Sequence, residues 1–144
     1  MAGKTLTWGG DLLKLILNAT AIANIADNAA TSPITNIYLS LHTADPGTSG
    51  NQTTSEISYT GYARVAVART TGGFTISNNV ASLVANAVFG QMTAGTGGTA
   101  THVGIGTGSS GVGKLLWSFA LTPNQSVVNG VTPTIAAGST VTES

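Results

Sequence analysis

Tyr59-Thr-Gly-Tyr-Ala-Arg-Val-Ala-Val-Ala-Arg69 is the stretch from which the chain reads as a β protein. Its apolar positions step by two: Ala63, Val65 and Val67 point one way, while Tyr62, Arg64, Ala66 and Ala68 point the other. Thr60-Gly61 leads in and Thr70-Thr-Gly-Gly73 leads out, which predicts a central strand with a turn at each end. On the N-terminal side, Ile37-Tyr-Leu-Ser-Leu-His42 alternates in the same way. Ile37, Leu39 and Leu41 are expected inside, and Tyr38, Ser40 and His42 outside. On the C-terminal side, Phe74-Thr-Ile-Ser77 is expected to pair back through Gly72-Gly73, and Val80 to Phe89 to form one or two strands. Val103 and Ile105 share a face opposite His102, Gly104 and Gly106. Leu115, Trp117, Phe119 and Leu121 give the cleanest alternation of all and predict a second central strand. Asn129-Gly130, between Ser126-Val-Val128 and Val131-Thr-Pro-Thr-Ile135, signals a hairpin, with Pro133 placing it near a sheet edge.

The connections are legible too. Asp45-Pro46-Gly47 is a turn in which Pro sets the first central position and Gly supplies positive φ at the second. The polar loop running on to Ser58 is long for a small domain and reads as a contact arm. Ala94-Gly-Thr-Gly-Gly-Thr-Ala100 reads as a flexible loop. At the N-terminus, residues 1–9 read as an extended arm carrying Trp8, an anchor for the chain's own domain or for a neighbour. A helix is expected over 10–18, opened by Asp11, with Leu12, Leu13, Ile16 and Leu17 as its apolar stripe. Residues 19–30 stay open between helix and extended chain, and Thr31-Ser-Pro33 ends them. The expectation is a mainly β protein, a β-sandwich or jelly-roll-like domain over 10–144 with a short N-terminal helix.

Composition narrows the function classes. With 144 residues the chain is long enough for one core without metal or disulfide, and it has no cysteine. Only 7% of its residues are charged, against about 25% in a typical soluble domain, while 42% are hydrophobic. A free monomer so poor in charge has weak colloidal protection, which points to a surface covered by other subunits. Five basic residues, unclustered, argue against nucleic acid as a partner. Leu12-Leu-Lys-Leu-Ile-Leu17 is far shorter than the ~20 residues of a membrane span and is interrupted by Lys14, so neither a signal peptide nor a membrane partner is expected.

No motif survives as catalytic. Gly108-Ser-Ser-Gly-Val-Gly-Lys114 has the spacing of a phosphate-binding loop, but Leu115 stands where Ser or Thr should hold magnesium. A period-two segment follows it instead of a helix, so it reads as a glycine-rich connection. His42 and His102 with Asp45 would make a metal site only on adjacent strands, and their spacing does not call for one. Asp45 and Glu56 flank one loop and make a poor hydrolytic pair. Arg64 reads either as the local partner of one of these carboxylates or as a group reaching across a subunit contact. No cofactor, metal or small-molecule substrate is expected.

Leu39-Ser-Leu-His-Thr-Ala-Asp-Pro-Gly47, Tyr59-Thr-Gly-Tyr-Ala-Arg-Val-Ala-Val67, Thr101-His-Val-Gly-Ile-Gly106 and Gly113-Lys-Leu-Leu-Trp117 occur together here. By that combination the chain resembles a family of small tailed-bacteriophage virion proteins. Some of its members are labelled tail fibre or minor tail proteins, and others sit on the head as decoration or cement proteins. The resemblance implies a structural role without catalysis. The chain lacks the repeats and heptads of a long fibre, and it carries an arm and polar loops suited to many-copy attachment. The expectation is therefore a capsid decoration protein on the outer head surface, bound to the major capsid protein and to copies of itself as a dimer or trimer. The alternative is a tail- or baseplate-associated structural protein, with host-glycan binding as an option. Trp8, His42, Asp45, Glu56, Tyr62 and Arg64 are the candidate interaction residues.

Overall fold

The computed structural model describes residues 6–22 and 33–143, and over these the protein is mainly β, as the alternating segments predict. Along the chain come α1 (Leu6–Leu17), β1 (Asn36–His42), β2 (Val65–Ala68), β3 (Phe74–Ser77), β4 (Val80–Leu83) and β5 (Ala87–Val88). β6 (Gly98–Gly106), β7 (Leu115–Val127), β8 (Thr134–Ile135) and β9 (Thr140–Thr142) complete it. Two compact units share this chain: residues 1–36, 68–86 and 135–144 make one, and residues 37–67 and 87–134 the other.

The first unit is α1 on a three-stranded sheet, β3-β4-β9, antiparallel throughout. The helix begins at Leu6, so residues 6–9 are its first turn and not part of an extended arm. Residues 1–5 of the expected arm, and residues 23–32, lie outside the described residues. Asp11 consequently sits past the first turn, 4.0 Å from Lys14 one turn on, rather than at the cap. Gly9, Gly10, Leu13 and Leu17 are the buried face. The glycines let the helix approach the β3–β4 turn so closely that a Cβ on Gly10 would collide with the Asn78 carbonyl. At the other end, the Arg69 guanidinium caps α1. Its Nε donates to the Ile16 carbonyl at 2.6 Å and its Nη2 to that of Leu15 at 2.8 Å, both among the last four carbonyls of the helix. β3 pairs with β4 across Asn78-Asn79, not back with the preceding strand. The Thr70–Gly73 turn closes on itself and sends the chain into a different sheet.

The second unit holds a four-stranded sheet in the order β2-β1-β6-β7. β1 and β6 are therefore the inner strands, and the two segments expected to be central, β2 and β7, are the outer ones. Alternation reports that a strand has two unlike faces, not what lies on either side of it. The stretch at 59–69 is a strand only over Val65–Ala68, because Gly61, at φ 101°, turns the chain before it. Buried Ile37, Leu39, Leu41 and Ile105 form the apolar side of the inner strands, as expected. On the other side His42 stands directly opposite His102, Ser40 opposite Gly104 and Tyr38 opposite Gly106. This second side is covered rather than solvent-facing, since Ser40 and His42 are fully buried. The Asn129-Gly130 turn forms, with the Val131 N–H on the Val128 carbonyl, but without the expected hairpin ladder. Residues 130–133 hydrogen-bond to Phe89 and Met92, and β8 is joined to β5.

Candidate functional site

The polar groups of the second unit converge where the loop 43–58 folds over the inner strands. Glu56 lies near the end of this loop, and its carboxylate meets the Arg64 guanidinium in two parallel bonds: Nε to Oε1 and Nη2 to Oε2, each 2.7 Å. The Arg64 side chain is 2% exposed and that of Glu56 14%. The remaining donors of Arg64 reach the Gly108 carbonyl at 2.9 Å and the Gly111 carbonyl at 2.8 Å. One guanidinium thus ties together a carboxylate and the glycine turn of 108–113, using the planar fork that only arginine offers. Its bonds to Glu56 hold the Arg64 pKa above the ordinary value.

Tyr62 completes this cluster. Its hydroxyl donates to Glu56 Oε1 at 2.8 Å and accepts the Leu41 N–H at 3.1 Å. Its ring lies parallel to Phe89 with centroids 6.0 Å apart and edge-on to Tyr59 at 5.3 Å. Burial pushes the Tyr62 phenol far above its usual range, with the Glu56 charge adding to the shift. His42 contacts the same loop. A carbonyl can only accept, so Nδ1 carries the proton toward Thr54 O at 2.8 Å, and Nε2 accepts from the Ser40 hydroxyl at 2.9 Å. Burial lowers its pKa against the opposing pull of the Thr54 carbonyl and Glu56, which keeps the ring neutral at pH 7.

Gln52, fully buried, is the group that sequence reading missed. Its Oε1 accepts the Gly108 N–H at 2.8 Å, while its backbone N–H donates to the Gly113 carbonyl at 3.1 Å. A Cβ on Gly106 or Gly113 would collide with its amide, and one on Gly104 would crowd His42 and Ser40. The glycines on that face of β6 were the available signal: small residues on a supposedly solvated face leave room for something to cover it.

The six candidate residues thus separate. His42, Glu56, Tyr62 and Arg64 form one internal cluster; the outward reading of His42 and Arg64 is corrected, and Arg64 takes the local carboxylate pairing. Trp8 lies in the first turn of α1. Asp45 is exposed. It closes its own turn through the Gly47 N–H at 2.9 Å, with Gly47 at φ 68° as the turn requires, and accepts the Ser118 hydroxyl at 3.4 Å. Asp45 lines an open cleft of about 260 Å³ with Gly47, Thr48, Gly50 and Leu115 to Ser118.

Chemically the cluster is spent. Glu56 is neutralised by Arg64, and His42 has both nitrogens engaged. The Gly108 and Gly111 carbonyls face a cation where a phosphate loop would present free N–H groups. β1 and β6 do bring His42 and His102 together, yet among the described residues no three metal-ligating side chains converge. No buried side-chain nitrogen or oxygen lacks a partner among the described residues. The polar loop from the Asp45-Pro46-Gly47 turn to Ser58, read as a contact arm, is anchored to the unit through Gln52, Thr54 and Glu56.

In this β-rich chain the buried charges hold its own loops. Residues 14–143 match the family described as Podophage GP4 fiber I protein gp80, and the chain belongs to that family, which makes it a small tailed-phage virion protein. No curated protein matches it.

Proposed function

We propose that the protein is a non-enzymatic structural component of a phage tail fibre, acting in multiple copies. The observation that carries this reading is the family match over 14–143, whose description names a fibre protein. It supports the tail alternative over the capsid decoration reading favoured by compactness and lack of repeats. The closed hydrogen bonding around Glu56, Arg64 and His42 supports the absence of catalysis, since it leaves no poised acid, base or nucleophile there. The 7% charged composition supports a surface completed by neighbouring subunits. Gold-labelled antibody against the chain, applied to purified virions under the electron microscope, tests the assignment. Label at the tail is the expected result, and label spread over the head would return the decoration reading.

A further inference from the structure

The second unit carries an open groove of about 550 Å³, a size within the range of about 300–1,000 Å³ found for small-molecule sites. Thr43 and residues 56–60 form one wall, fastened to β1 by the Ile57 N–H on the Leu41 carbonyl at 2.9 Å. Residues 95–97 form the other. The Thr60 N–H on the Ala94 carbonyl at 2.8 Å and the Thr93 N–H on the Thr60 carbonyl at 3.0 Å hold it against the first. Both walls are thus in place before a ligand arrives, which lowers the cost of binding one. What they present is polar and short of partners. Ser58, Thr60 and Thr96 are exposed, and their hydroxyls bond to nothing among the described residues. The backbone N–H groups of Gly95, Thr96 and Gly97 likewise find no acceptor among those residues. Glu56 adds an acceptor: its Oε1 takes bonds from Arg64 and Tyr62, whereas Oε2 takes one, from Arg64, and keeps room for a second.

These groups choose the class of ligand. Hydroxyls and free amides would be stripped of water by an apolar molecule and given nothing in return. The charge on the lining is that of Glu56, already matched by Arg64, so an anion would meet no free cation and a cation no unmatched carboxylate. An uncharged molecule rich in both donors and acceptors remains. We propose that this groove binds a neutral saccharide, whose ring hydroxyls donate to Glu56 Oε2, accept from the 95–97 amides and exchange bonds with Ser58, Thr60 and Thr96. Tyr59 is buried and offers no open ring for a sugar to stack on, so a Kd on the order of 1 mM is expected. The proposal does not depend on where in the virion the chain sits.

Amide spectra of the isotope-labelled full chain, titrated separately with glucose, galactose, mannose, rhamnose and N-acetylglucosamine well past that concentration, test the proposal. At least one of these sugars is expected to move the Gly95, Thr96 and Gly97 amides saturably, while the amide of Gly138, an exposed turn residue of the first unit, stays in place. Ser58→Ala and Thr96→Val each remove one hydroxyl at an exposed position and are expected to weaken binding roughly threefold to tenfold with the melting temperature unchanged. Four results would overturn the proposal: no saturable movement with any of these sugars, equal movement with glycerol at matched hydroxyl concentration, tighter binding of the anionic N-acetylneuraminic acid, or unaltered affinity in both variants.

Discussion

Glu56 and Arg64 are costly to separate. Each was taken out of water, and the compensation lies in the paired geometry; removing one partner strands the other. Glu56→Gln is expected to lower stability by about 3–5 kcal/mol, read as a shift in urea midpoint with the slope unchanged. His42 gives a second expectation, with a sign that follows from its lowered pKa. The unfolded imidazole takes up its proton near 6.5, while the buried one resists until lower pH. Stability is therefore whole above about pH 6.5 and is lost as pH falls from there toward the depressed folded value. His42→Gln should flatten that part of the melting-temperature profile.

Elements in this protein are held by what crosses them. Gly106→Ala pushes a methyl into the Gln52 amide and is expected to cost about 1–3 kcal/mol. Pairing it with Gln52→Ala should cost less than the sum of the two single changes, as expected for residues in contact. Arg69→Met keeps the aliphatic stem but releases the α1 carbonyls, so it should destabilise by about 1–3 kcal/mol and speed amide exchange in that helix. The same elements show what the sequence carried. Strand segments were legible because alternation is local, and Asp45-Pro46-Gly47 because its turn chemistry is local. Strand order was not legible: β2 and β7 alternate as central strands would, and only their hydrogen-bonding neighbours make them outer ones. The start of α1 was hidden because glycines are poor helix formers, so nothing local extended the helix back through Gly10 and Gly9 to Leu6, whereas their smallness is what seats it. The Glu56–Arg64 pairing was open as one of two options, whereas Gln52 lay in a polar loop with nothing local to mark it as buried.

At the scale of the whole molecule, the sparse charge finds two uses. Glu56, Arg64 and Arg69 act on the chain's own backbone and loops, which leaves little charge for solvation. A chain so built gains by being covered, and the fibre family to which it belongs provides the setting. The measurement that bears most directly on this reading is the number of copies per virion, obtained by quantitative mass spectrometry against head and tail proteins of the same particles. A small number that follows the rotational symmetry of the tail is expected. A number that scales with the subunits of the head shell would contradict it.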